Sequence, residues 1–120
     1  MSCVLRVSGP TIDAALPRIS LKPYRVEAGT AHFDVSKAGF AEFAAQVDDA
    51  IAFLHAHTVD LKLMMSEPST GGVLDFGIES RNDAAQFDTF PAALVREAAS
   101  LGLALELSRY PVSVEHGAEA

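Results

Sequence analysis

Two residue pairs and one lone thiol are the places in this sequence where chemistry could sit. His32 and Asp34 lie two apart in an alternating stretch, so a strand sets them side by side on one face. A general acid–base pair has this spacing, and so does a polar, solvent-facing strand pair. His55 and His57 are also two apart, but inside a helical pattern, where such residues point about 160° apart around the axis. They converge only if the helix ends before His55, and no nearby Cys or third His completes a ligand set. A solvated helix end, with imidazoles favoured by the C-terminal dipole, accounts for both. Cys3 alternates with Leu5 and Val7 and reads as a buried small hydrophobe. A reactive thiol needs an electropositive, partly exposed setting, and Arg6 alone offers little of that. Gly9-Pro10 and Gly71-Gly72 read as turns, with no phosphate-binding glycine pattern and no nucleophile elbow around them. On this reading there is no catalytic residue, no metal ligand and no cofactor, and the ligand-binding residues are unknown.

The elements that position these groups follow from hydrophobic periodicity. Residues 3–7 alternate as a strand and stop at Ser8-Gly9-Pro10. Thr11 opens a short helix with Ile12, Leu16 and Ile19 at i, i+4 and i+7, cut or kinked by Pro17. Residues 21–27 form a second strand, and Ala28-Gly29-Thr30 a hairpin turn. Residues 31–36 place Ala31, Phe33 and Val35 on one side and His32, Asp34 and Ser36 on the other. The spacing predicts a helix over 40–57 with Phe40, Phe43, Ala44, Val47, Ile51 and Leu54 in one stripe and Phe53 off it. Strands are expected at 59–65, 73–80 and 103–110, and a helix with Leu94, Ala98 and Leu101 inward between the last two. Gly102 follows that helix as its C-terminal cap.

These elements predict an α+β fold in the order β-α-β-β-α-β-β-α-β. A ferredoxin-like split βαβ plan is legible in it, with an antiparallel-rich sheet and helices on one face. The plan fits two overlapping registers, 3–65 and 31–110, and the second has the two better helices. Residues 1–111 make one domain, and 112–120, without periodicity, a flexible C-terminal tail. Expected core residues are Phe33, Val35, Phe43, Val47, Ile51, Leu54, Leu61, Leu63, Phe76, Ile78, Leu94, Ala98, Leu101, Leu105 and Leu107.

Composition narrows the partners. The 120 residues carry a net charge of −7, with nine Lys and Arg scattered along the chain. Nucleic-acid binding needs a basic footprint, so no nucleic-acid partner is expected. No stretch reaches ~18 apolar residues, so no membrane span is expected. One cysteine closes no internal disulfide, and the first ten residues lack a signal-peptide core. Cytoplasmic residence is the resulting expectation. Phe53 stands off its helix stripe and Val4, Met64 and Val73 fall on the strand faces opposite their core-facing neighbours, and this leftover apolar surface predicts either a homodimer or an unidentified protein partner.

Three stretches together resemble a bacterial family, domain of unknown function 4279. They are Leu5-Arg6-Val7-Ser8-Gly9, Leu21-Lys22-Pro23 followed by Gly29, and the run from Ala98 to Leu107. The resemblance covers most of residues 3–110. It implies no catalytic residues, and it implies an immunity-type role beside a secreted toxin as one possibility. The leading expectation is therefore a non-catalytic protein-binding module. A small-molecule-binding regulatory domain resembling ACT domains, with residues 8–13 as its ligand loop, is a second reading. A dimeric α+β barrel enzyme, with His32 as its first candidate, is a third.

Overall fold

Strict alternation in the first strand organises the molecule. In β1 (Cys3–Ser8) the side chains of Cys3, Leu5 and Val7 are wholly buried, while Val4, Arg6 and Ser8 face the other way. The computed structural model describes residues 1–81 and 85–111. After β1 come α1 (Ile12–Ala15), a 3-10 turn at Leu16–Arg18, and the hairpin of β2 (Arg25–Glu27) and β3 (Thr30–Ser36). Next are α2 (Phe43–Ala56), α3 (Thr58–Met65), β4 (Gly71–Ser80), α4 (Ala92–Ser100) and β5 (Leu103–Pro111). The sheet order is β2-β3-β1-β4-β5, antiparallel throughout except for the β4–β5 pair, which is parallel as its α4 crossover requires.

One hydrophobic cluster joins Leu5, Val7, Phe33, Leu74 and Phe76 of the strands to Ile12, Val47, Leu54, Leu61, Leu94 and Ala98 of the helices. The helices thus cover one face of a mixed sheet and leave the other uncovered. Half-buried Phe43 meets Phe76 and Phe90 edge to face, and Phe76 and Phe90 lie tilted to each other, with centroids 5.2–5.9 Å apart. None of the described helices is long and apolar enough to cross a membrane.

The hairpin joining β2 and β3 has Glu27 opposite Thr30 across two residues, Ala28 at φ 50° and Gly29 at φ 78°. Two successive positive φ values match the right-handed twist of the strands. Gly102, at φ 72°, closes α4 as its position after the last apolar residue implies.

Residues 59–65 are helical, which corrects the strand expected there and with it the β-α-β-β-α-β-β-α-β order; both registers of the split plan had used that strand. Backbone bonding continues across the junction, Leu61 N–H donating to His57 O at 2.9 Å, and the Thr58 hydroxyl donates back to Leu54 O at 2.8 Å. Leucine, lysine and methionine favour helix, and the single β-branched residue after Thr58, Val59, is 81% exposed. Met64 is consequently core, not outer surface, and Lys62 lies on a helix. The expected core is a second point of correction: Phe43, Ile51, Leu63, Leu105 and Leu107 are only half-buried against the cluster, and so is Val35. The ladder slips between Cys3 and Val4, so Val35 sits at the bulge, while Ser36 turns inward in its place. Phe40 is a third: α2 begins at Phe43, and Phe40 lies over the outer face of the sheet against Tyr110. The expected tail, 112–120, lies outside the described residues.

α3 is fastened to the chain ahead of β2 by Asp60. Its carboxylate accepts from Ser20 N–H (3.1 Å), Ser20 Oγ–H (3.0 Å) and Leu21 N–H (3.0 Å). Desolvation works to raise the Asp60 carboxyl, but these donors and nearby His57 outweigh it and hold the group below its ordinary value. A depressed folded-state pKa means a contribution present at neutral pH and lost as pH falls through that value. Urea unfolding of wild type and Asp60→Asn is expected to show the wild type more stable at pH 7. The gap should close on acidification below about pH 4. A gap that stays constant down to acid pH contradicts the assignment.

Candidate functional site

The uncovered sheet face is where the outward residues of five strands meet. The registers set them in rows. Arg25, His32, Arg6, Val73 and Ala104 form one row, and Asp34, Val4, Asp75 and Glu106 the next. Arg6 lies across the face. Its guanidinium donates to Asp75 Oδ2 at 3.0 Å and to Glu106 Oε1 two strands away. Asp75 also accepts from Ser108 Oγ–H at 2.7 Å. The hydrogen bond to Asp75 first, with Glu106 assisting, holds the Arg6 guanidinium charged beyond its ordinary range against partial desolvation. Lys37 pairs with Asp34, and Arg25 with Glu27, whose carboxyl is lowered by that partner.

Two depressions flank β1 at this end of the face. One, of about 490 Å³, runs over Arg6, Gly71, Val73 and Ala104. The other, of about 380 Å³, is bounded by Arg6, Glu27, Thr30 and His32. The ridge between them is Ser8, whose hydroxyl shares a 2.8 Å hydrogen bond with that of Thr30. Aromatic side chains stand at the margins. Tyr24, 45% exposed, lies 6.0 Å from the His32 ring. At the other end Phe40 and Tyr110 stack edge to face at 5.5 Å. They close over Gly77, where a Cβ would come within 3.0 Å of the Phe40 ring and of Ser2 O, so only glycine fits beneath the pair.

The residues singled out from the sequence fall as follows. His32 and Asp34 do share the outer face, but Asp34 is engaged by Lys37 and His32 stands beside Tyr24, so they are not hydrogen-bonded partners. His55 and His57 diverge: His55 Nε2 lies 3.0 Å from Glu97 of α4, and His57 packs on Phe53 at 4.7 Å. Among the described residues, no group of three or more His, Cys, Asp or Glu side chains is placed to hold a metal ion. Cys3 is fully buried, and burial first, with Asp75, Asp34 and Asp49 adding, pushes its thiol up to about 12. Residues 8–13 fold onto the hairpin, Gly9 N–H donating to Gly29 O at 3.1 Å, with Ile12 buried. The Arg6–Asp75–Glu106–Ser108 network was missed by sequence reading. Its first and last members lie 102 positions apart, and only their outward parity on alternating strands marks them.

No family model, curated protein or solved structure matches this chain.

Two measurements test the site's energetics. Arg6→Met leaves Asp75, a largely buried carboxylate, without its cation and is expected to destabilise the fold by about 1–3 kcal/mol in urea. Combined with Asp75→Asn in a double-mutant cycle, it should show a coupling of at least ~0.5 kcal/mol; additivity contradicts the network. A thiol reagent at pH 8 should label Cys3 only as fast as the protein unfolds, and rapid labelling of the native state contradicts its burial.

Proposed function

We propose that this chain is a non-catalytic protein-binding module whose uncovered sheet face receives a basic partner. The observation that carries the reading is the charge and aromatic content of that face. Five carboxylates (Glu27, Asp34, Asp75, Glu79 and Glu106) face three cations (Arg6, Arg25 and Lys37), and one guanidinium serves two of the carboxylates. Half-exposed Tyr24, Phe40 and Tyr110 edge it, the residue types that anchor protein interfaces. A chain of net charge −7 adds long-range attraction for a positive partner and speeds its encounter. The immunity-type role implied by the resemblance to domain of unknown function 4279 fits such a surface, since an immunity protein acts by covering its partner. In the fold, the stretch β2-β3-β1-β4, antiparallel at every pair, supports a split βαβ plan built on β1, α1, β2, β3, α2 and β4, with α3 as an insertion and α4–β5 as an extension.

The two depressions beside Arg6 favour one second reading, a small polar ligand as in the ACT-like domain. Both are open to solvent along the sheet, whereas ligand pockets bury most of their ligand.

Binding to the protein encoded beside this chain in its genome tests the leading reading. Calorimetry at low salt is expected to show a complex that weakens as salt rises. Glu106→Lys or Tyr24→Ala should weaken it at least tenfold, and Asp13→Lys, on the helical side, by less than twofold. Equal effects from both sides, or no complex while a polar metabolite raises the melting temperature, overturns it.

A further inference from the structure

The two edges of the sheet are not alike. Edge strand β2 is three residues long and ends in a tight hairpin, the brevity that protects an edge from pairing. Edge strand β5 runs nine residues beside β4, and among the described residues nothing pairs with its far side. It contains no lysine, and its one proline is its last residue.

α4 adds a second feature on the same side. Leu94 and Ala98 point down to the core, and Glu97 points to α2, where it meets His55. Val95 and Ala99 lie on the opposite flank of the helix by the 100° step, and both are exposed, Val95 by 43%. Because α4 packs on β5 and α2 lies inward of it, that flank overhangs the open edge.

We infer that β5 pairs antiparallel with β5 of a second copy, joining two sheets into one of ten strands with the two α4 helices side by side. The strand's own sequence favours a copy of itself as occupant. A dyad at Leu107, the midpoint of β5, matches all nine residues. It sets Ala104 opposite Tyr110 of the second copy, whose ring leans back toward Phe40 and Gly77 of its own chain, and Leu105 opposite Arg109. Glu106 then faces Ser108, whereas a dyad one residue earlier would oppose Glu106 to its own copy. The exposed Val95 and Ala99 let the two helices approach closely, as an interface repeated by two-fold symmetry requires.

Light scattering at micromolar concentration is expected to give a mass near twice 12.7 kDa. Val95→Glu, a surface change that leaves the core intact, should raise the dimer dissociation constant at least tenfold by opposing like charges. Leu107→Cys should cross-link to its own copy under mild oxidation. Ala104→Cys should not, because this register holds the two copies of residue 104 roughly 20 Å apart. Native Cys3 is buried and does not compete. A mass that stays at 12.7 kDa overturns the pairing. Val95→Glu without effect, or cross-linking of Ala104→Cys as fast as of Leu107→Cys, overturns this geometry.

Discussion

The parity of β1 is the constraint on which the rest depends. It is the middle strand of the sheet, and its three inward side chains sit at 0% exposure between β3 and β4. A shift of one residue in its register would send Arg6 into the hydrophobic cluster and expose Leu5 and Val7. Burying a guanidinium there without its two carboxylates would cost more than the strand pairing gains. The same parity that builds the core therefore carries Arg6 to the outer face, within reach of Asp75 on one neighbouring strand and Glu106 on the next.

Arg6 sets the character of that face. A free arginine among hydroxyls such as Ser8 and Thr30 would invite a small anion. Here the guanidinium is already held by two carboxylates, one of them largely buried, so an anion would have to displace charge-assisted hydrogen bonds to reach it. The surplus carboxylate leaves local negative charge, which a partner's lysine or arginine can meet without breaking the pair.

Much of the inner half of the molecule was legible in the sequence. Phe33, Val47, Leu54, Phe76, Leu94 and Ala98 are buried as their periodicity indicates, and the turn at Ala28-Gly29 falls where composition places it. Residues 59–65 were not legible, because Leu61, Leu63 and Met65 alternate like a strand while Leu61 and Met64 are spaced like a helix. In seven residues the two periods overlap, and tertiary packing against α1 decides. The bulge at Val35 left no mark in the sequence, since it depends on how β1 and β3 meet. The outer site was hardest to read: Arg6, Asp75 and Glu106 lie on three strands, and no local pattern tells which outward charges become neighbours.

The unequal edges connect the fold to its surfaces. A two-fold axis through Leu107 perpendicular to the sheet keeps both outer faces on the same side, so pairing along β5 doubles the polar face instead of hiding it. In the proposed pairing the two Glu106 side chains would come near the axis, each still held by its own Arg6, and their residual repulsion would weaken as salt rises. The joined face would carry two acidic centres in one plane. A basic partner large enough to span the axis would contact both copies at once, and the linkage would raise its affinity without any new kind of contact.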